Sequence, residues 1–143
     1  MTRLVDTQVD NTEIVRSAHA NIFDTAHGGK VVEWMDDTGV ISAMRFSGEL
    51  CVTASMNRID FRQPIHTGDA AVVQAYVYDA GDTSIDVHVR VFREDLTQRA
   101  RELTTESDFT YVAVDEDNRP TEVPDLDVET EEGRQLRQQA TES

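Results

Sequence analysis

The sequence predicts an α+β domain, an antiparallel sheet laid against one long helix, and three observations carry that prediction. A helical period of apolar residues runs from about Gly29 to Phe46, a two-residue alternation runs from Ser84 to Arg93, and shorter apolar runs bounded by turn residues flank both. The order strand, long helix, four strands places the helix on the apolar face of one sheet. At 143 residues the chain suffices for one domain with a real core, and no composition break divides it. The expected domain is 1–124, followed by an acidic C-terminal tail over 125–143.

Thr12 to Ser17 reads as a short strand and Val5 to Val9 as a weaker one. The helix comes next. At about 100° per residue it gathers Val31, Val32, Met35, Gly39, Ser42, Ala43 and Phe46 on one side. Cys51 to Arg62, Ala70 to Asp79, Ser84 to Arg93 and Leu103 to Val114 then read as strands. Gly68-Asp69 and Ala80-Gly81-Asp82 supply turns, the second short enough for a hairpin, and Glu94 to Arg101 reads as a longer polar connection. In the third of these strands Ile85, Val87, Val89 and Val91 share the core face, which leaves Ser84, Asp86, His88, Arg90 and Phe92 on the other. Past Pro120 and Pro124 the chain turns polar, and Thr130-Glu131-Glu132 is positioned to start a short helix ending near Ala140.

Two adjacent aspartates on the helix separate by angle. Asp36 falls at the edge of the apolar stripe, with Val32, Gly39 and Val40 three and four positions away, whereas Asp37 looks toward Glu33 and the side carrying Lys30. Asp36 is therefore the carboxylate expected to be partly desolvated, the usual setting of a general acid or base. Gly28-Gly29 before the helix serves as a turn, and also lets a ligand approach backbone N–H groups at the positive end of the helix dipole.

Charge excludes one class of partner. The net charge is −15, and of thirteen Lys and Arg residues only Lys30 is a lysine, so nothing is available to neutralise a run of phosphates and nucleic-acid binding is ruled out. The acidic residues are spread along the chain, as expected for a hydrated surface in a salty cytoplasm where self-repulsion is screened within about 3 Å at 1 M salt. No window reaches the apolar length of a membrane span, and the N-terminus lacks the regions of a signal peptide. Cys51 is alone between Leu50 and Val52, which fits a reducing compartment and a structural thiol rather than a nucleophile.

Asn21, His27-Gly28-Gly29 and Asp36 stand in the order N-x5-[HF]-G-G-x6-D, which resembles the pattern of hotdog-fold acyl-CoA thioesterases, in the acyl-CoA hydrolase branch that includes the cytosolic long-chain acyl-CoA hydrolases. Val52-Thr53-Ala54-Ser55 with Asp60-Phe61, Pro64 and Gly68-Asp69 is similar to the family's second segment, Gly81-Asp82-Thr83-Ser84 to its third, and Val123-Pro124 also fits. The resemblance spans roughly Ile14 to Pro124. No single motif is specific, but the ordered set at matching spacing is.

The resemblance implies a hotdog fold, an antiparallel sheet wrapped around one central helix, and hydrolysis of acyl-CoA to fatty acid and CoA in the cytoplasm. It implies Asp36 as general base or nucleophile, Asn21 as the side chain that orients water or substrate, and the N–H of Gly29, with Gly28, as donors to the thioester oxygen. His27 and Thr25 lie in the same segment and are candidate substrate contacts. Arg58 is a candidate for a CoA phosphate or an ordinary ion pair, and Thr83 and Ser84 for the nucleotide end of CoA or a plain hairpin turn. No cofactor is implied beyond the CoA of the substrate, and His19 and His27, without supporting carboxylate or cysteine spacing, do not form a metal site. In the family the two halves of the site come from different protomers or domains, so with one hotdog here a homodimer is the minimum unit and a homohexamer is expected. The alternatives are a non-catalytic acyl-CoA-binding hotdog protein and a hotdog hydratase or dehydratase. Two positions depart from the family, Ser17 where relatives often carry proline and Asp24 where they often carry glycine.

The charge pattern makes salt the first variable to test. Melting temperature and apparent affinity for the anionic CoA ester should both rise as NaCl is raised from dilute buffer toward molar concentration. A cooperative melt and full activity at low ionic strength overturn that expectation.

Overall fold

The computed structural model describes residues 1–142. Strand β1 (Thr2–Arg3) and a 3₁₀ turn (Leu4–Thr7) lead into β2 (Val9–Ile14), a second 3₁₀ turn (Ser17–His19) and helix α1 (Gly28–Ser47). Strands β3 (Leu50–Met56), β4 (Ala70–Ala80), β5 (Ser84–Asp95) and β6 (Ala100–Val114) follow, then β7 (Leu126–Asp127) and helix α2 (Glu131–Glu142). Five strands form one antiparallel sheet in the order β2-β4-β5-β6-β3, curled around α1. No helix among the described residues is long and apolar enough to cross a membrane.

Helix and sheet close a single core. From α1 come Val31, Trp34, Met35, Ala43 and Phe46, and the inner face of the sheet supplies Val73, Val77, Ile85, Val87, Val89, Phe109 and Tyr111. Helix α1 starts because the His27 ring accepts a hydrogen bond from Gly29 N, and it ends at Gly48, whose left-handed φ of 71° lets its N–H reach Met44 O. The buried stripe is rotated slightly from the expected one. Trp34 and Thr38 are inside while Val32 is only half-buried, because Trp34 stacks edge-on against His19 of the second 3₁₀ turn.

Four strand expectations need correction. Val5 to Val9 is no strand: Leu4–Thr7 forms a 3₁₀ turn, closed by Thr7 Oγ1 donating to Leu4 O, and pairing starts only at Val9. The strand expected over Thr12 to Ser17 ends at Ile14, where Gly68 and Asp69 engage Val15 instead. The run Cys51 to Arg62 breaks at Met56. Beyond it the chain leaves the ladder, since Ser107 Oγ donates to the carbonyls of Asn57 and Arg58 and Thr105 Oγ1 donates to Asp60 O. The polar stretch Glu94 to Arg101 is half strand, since β5 runs to Asp95 and β6 starts at Ala100, joined by a turn in which Asp95 accepts from Thr97 and Arg99 takes a φ of 57°.

His88 also departs from the period-two expectation that put it outside. It lies on the outer face of β5 and is nonetheless fully buried, between Tyr76 on β4 and Asp108 on β6, its two register partners. Asp108 Oδ1 stands 2.8 Å from Nδ1 and Glu106 Oε2 3.2 Å from Nε2, so both ring nitrogens have partners. Above this row, α2 packs Leu136 and Ala140 onto Tyr76, whose hydroxyl donates to Leu136 O at 2.7 Å. Burial pushes the Tyr76 hydroxyl up to about 12. The segment expected as a tail also contributes Leu126–Asp127, which pair in parallel with Thr2–Arg3.

Thr7 ties these layers together. Its hydroxyl accepts from Val77 N of β4, and its carbonyl accepts from Ser42 Oγ of α1 at 2.7 Å. Thr7→Val should therefore cost about 1–3 kcal/mol, because Val77 N–H is left buried without a partner; chemical denaturation measures it, and an unchanged midpoint refutes the role.

Candidate active site

Residues 20–27 form a loop that Asn21 builds from its own side chain. Asn21 Oδ1 accepts from the N–H of Phe23 and of Thr25, and Nδ2 donates to Thr25 Oγ1 at 2.9 Å. Backbone bonds from Ala26 N to Ile65 O, His27 N to His19 O and Thr67 N to Asp24 O pin the loop to its neighbours. Asp24 is the tip, at φ 57°, a conformation in which a side chain is strained and glycine is not. Glycine, which the resembled family often carries at this position, takes that φ without strain.

Beside the loop lies a cleft of ≈ 400 Å³, lined by Asn21, Thr25, Gly28, Phe61, Pro64 and Ile65 among others. Three candidates from the sequence therefore meet at one opening. The entrance to α1 contributes backbone: Gly29 N–H already donates to His27 Nδ1 at 3.0 Å, so the His27 ring has a capping role that its sequence position did not reveal. His19 likewise uses Nδ1 to accept from Arg16 N.

Asp36 is elsewhere. It is half-buried and Asp37 is exposed, in keeping with the angular argument. Its Oδ1 accepts two hydroxyl protons, from Thr53 of β3 and Tyr111 of β6, both at 2.9 Å. These two residues are register partners on neighbouring strands, so their side chains rise on the same side of the sheet. Immediately after Thr53 the register slips by one residue, a bulge that turns the rest of β3. Burial, followed by the hydrogen bond and charge of Asp36, holds the Tyr111 hydroxyl far above its ordinary range, so it is a fixed donor. Oδ2 of Asp36 has no hydrogen-bond partner among the described residues.

The other candidates lie apart. Seven helical steps at 1.5 Å separate Gly29 from Asp36, about 10 Å along α1, and the cleft is not lined by Asp36. Arg58 lies beyond the end of β3, exposed and paired with Asp60 at 3.0 Å. Thr83 and Ser84 form the β4–β5 turn, where Gly81 N donates to Ser84 O and Thr83 O accepts from Ala113 N, and neither lines the cleft. The sequence assigns no site role to Thr53 or Tyr111: Thr53 stands there only as part of the second family segment, and Tyr111 only on one face of its strand with Phe109 and Ala113, since strand alternation names a face but not the side chain across from it.

The sequence model of the thioesterase superfamily matches residues 23–100. YkhA of Bacillus subtilis, described as an uncharacterized acyl-CoA thioester hydrolase, is 38% identical over 127 residues, covering 89% of this chain and 74% of that protein. The fold is similar to that of a hexameric acyl-CoA thioesterase, with a TM-score of 0.89, 34% identity and coverage of 99% of this chain and 92% of that one. It is equally similar to an acyl-CoA hydrolase from Staphylococcus aureus solved with butyryl-CoA, CoA and CoA disulfide, with a TM-score of 0.90, 28% identity and coverage of 99% and 86%. That hydrolase has also been solved with alanine at an asparagine, an aspartate and a threonine whose mutual spacing equals that of Asn21, Asp36 and Thr53.

The strained tip yields a direct test. Asp24→Gly should hold or raise stability by up to about 1 kcal/mol, and Asp24→Val should lower it by about 1–2 kcal/mol, since a β-branched side chain tolerates the left-handed region worst. Thermal melts of the two variants decide it, and equal melting temperatures would contradict the conformational account.

Proposed function

The chain belongs to the thioesterase superfamily and is an acyl-CoA thioester hydrolase, and on that premise we propose that Asp36 is its catalytic carboxylate, working with Asn21 and the Gly28-Gly29 entrance of a second copy. The observation that supports this most is the pair of hydroxyls on Asp36 Oδ1, which fixes the carboxylate and leaves Oδ2 to act. Oδ2 either removes a proton from the attacking water or attacks the thioester carbonyl carbon itself. In either case a C–O bond forms, the C–S bond breaks and the CoA thiolate leaves, taking up a proton; on the nucleophilic route water then cleaves the acyl-aspartyl anhydride, which releases the fatty acid and restores Asp36. Thr53 is added to the proposed catalytic group as a holder of the carboxylate.

The thioester oxygen gains negative charge in the transition state, and the start of α1 supplies donors for it. Gly29 N–H is engaged by the His27 ring, so Gly28, which lines the cleft, is the donor that meets the oxygen without displacing the cap. Asn21 keeps one amide proton beyond those building the loop and is suited to hold water or substrate. The surrounding Thr25 and Phe61 fit a role in seating the acyl thioester. Arg58, with Thr83 and Ser84, remains the proposed contact set for the CoA phosphates and nucleotide.

A homo-oligomer is the working form, at least a dimer and, as in the hexameric acyl-CoA thioesterase, a hexamer. β3 is an edge strand with Leu50 69% and Val52 50% exposed, an apolar border suited to pairing with the same strand of another copy. A cytoplasmic setting goes with this reading, supported by the lone Cys51, whose thiol is pushed up by burial.

Asp36→Asn should lower thiol release from acyl-CoA by at least about 10²-fold while preserving melting temperature and assembly. Mixing inactive Asp36→Asn with inactive Asn21→Ala copies, refolded together one to one, should restore roughly a quarter of wild-type activity. Half the dimers are then mixed and each holds one intact site. No recovery on mixing would mean that each copy carries its own complete site, and an active Asp36→Asn enzyme would remove Asp36 from the chemistry.

A further inference from the structure

Tyr111 is fully buried on the inner face of β6, where phenylalanine would pack equally well and require no partner for a hydroxyl. The hydroxyl it does carry lies 2.9 Å from Asp36 Oδ1 and 3.2 Å from Asp36 O, bracketing one residue of α1 by its side chain and its backbone. A second donor, Thr53 Oγ1, approaches the same Oδ1 at 2.9 Å from the next strand. Two donors on one carboxylate oxygen fix the torsion of the group, and so fix where Oδ2 points.

Space for this contact is provided by Gly39, one turn further along α1. A Cβ at that position would stand 2.5 Å from the Tyr111 hydroxyl and 3.2 Å from Cζ, closer than any unstrained contact. Glycine in the middle of a helix is ordinarily unfavourable, and Gly39 has no turn or left-handed φ to explain it. The room it leaves is filled by the oxygen that reaches Asp36.

We propose that Tyr111, given room by Gly39, is a positioning residue for the hydrolase: it holds Asp36 through Oδ1 so that Oδ2 faces the thioester. Tyr111 is fully buried and acts through Asp36, and burial holds its hydroxyl in the protonated, donating form. The inference rests on the reading of Asp36 as the catalytic carboxylate, and extends the holding group beyond Thr53.

The test is a set of pH–rate profiles for acyl-CoA hydrolysis by the intact oligomer, with melting temperatures measured in parallel. Tyr111→Phe keeps the ring and should lower kcat about tenfold, leave KM within about twofold, and move the acid limb of the profile up by about one pH unit, because the carboxylate loses a donor that favours its charged form. Gly39→Ala should give the same acid-limb shift by displacing the hydroxyl, and Tyr111→Phe with Gly39→Ala should lower kcat by less than the product of the two single effects, since the hydroxyl contact is already gone. Wild-type kcat and acid limb in Tyr111→Phe would overturn the proposal. So would a lower melting temperature with reduced kcat but an unmoved acid limb, which is the outcome of a packing role. Full turnover by Asp36→Asn would instead defeat the reading beneath it.

Discussion

One helix burying one face inside a curled sheet is the constraint from which the rest of this molecule follows. α1 places Val31, Met35, Ala43 and Phe46 against the valines of β4 and β5 and the aromatic pair Phe109 and Tyr111 of β6. Close approach requires small residues on that face, and Thr38, Gly39 and Ser42 supply them. Gly39 costs roughly 1 kcal/mol relative to alanine in a helix interior, a cost that shape at this contact offsets. The boundary of the buried stripe then defines the only places on α1 where a charged group can be part wet and part dry. Asp36 is at that boundary, so the packing that makes the core also makes the carboxylate's environment.

The same constraint explains what was legible in the sequence. Helical angle separates Asp36 from Asp37 because period 3.6 is imposed by the backbone and needs no knowledge of neighbours. Alternation in β5 identifies Ile85, Val87, Val89 and Val91 as the inner face for the same reason. Pairing across strands is different, since it depends on register, and register is fixed by the whole sheet. Thr53 meets Tyr111, and His88 meets Asp108 and Tyr76, only once β3, β4, β5 and β6 are aligned. His88 is buried on the outer face because α2 and the tyrosines of β4 close over it, so a rule that assigns the second face to solvent fails there. The segment after Met56 was misread for a related reason. Its residues have strand-like composition, but the hydroxyls of Thr105 and Ser107 bind its carbonyls and draw it out of the ladder.

Within the loop at 20–27, short-range chemistry decides more than composition. Asn21 and Thr25 close the loop on each other, and Asp24 absorbs the backbone reversal between them. An asparagine expected to serve substrate thus has a first task in shaping the cleft it lines. These tasks are compatible, because the loop consumes Oδ1 and one proton of Nδ2 and leaves the other proton free. The His27 ring behaves similarly, since it engages Gly29 N–H and so leaves Gly28 as the proposed donor to the thioester oxygen.

Distance along α1 finally sets the assembly that the chemistry needs. The helix N-terminus and Asp36 are about 10 Å apart on a rigid rod, too far to act on one carbonyl carbon from the same copy. Under the proposal above a second copy completes the site, and a two-fold pairing at the exposed edge that contains Leu50, Val52 and Thr53 would run the two helices in opposite directions. Thr53 belongs to both functions, as a member of the edge strand and as a donor to Asp36. The edge strand is therefore joined to the proposed catalytic carboxylate by a single hydrogen bond, without passing through the core.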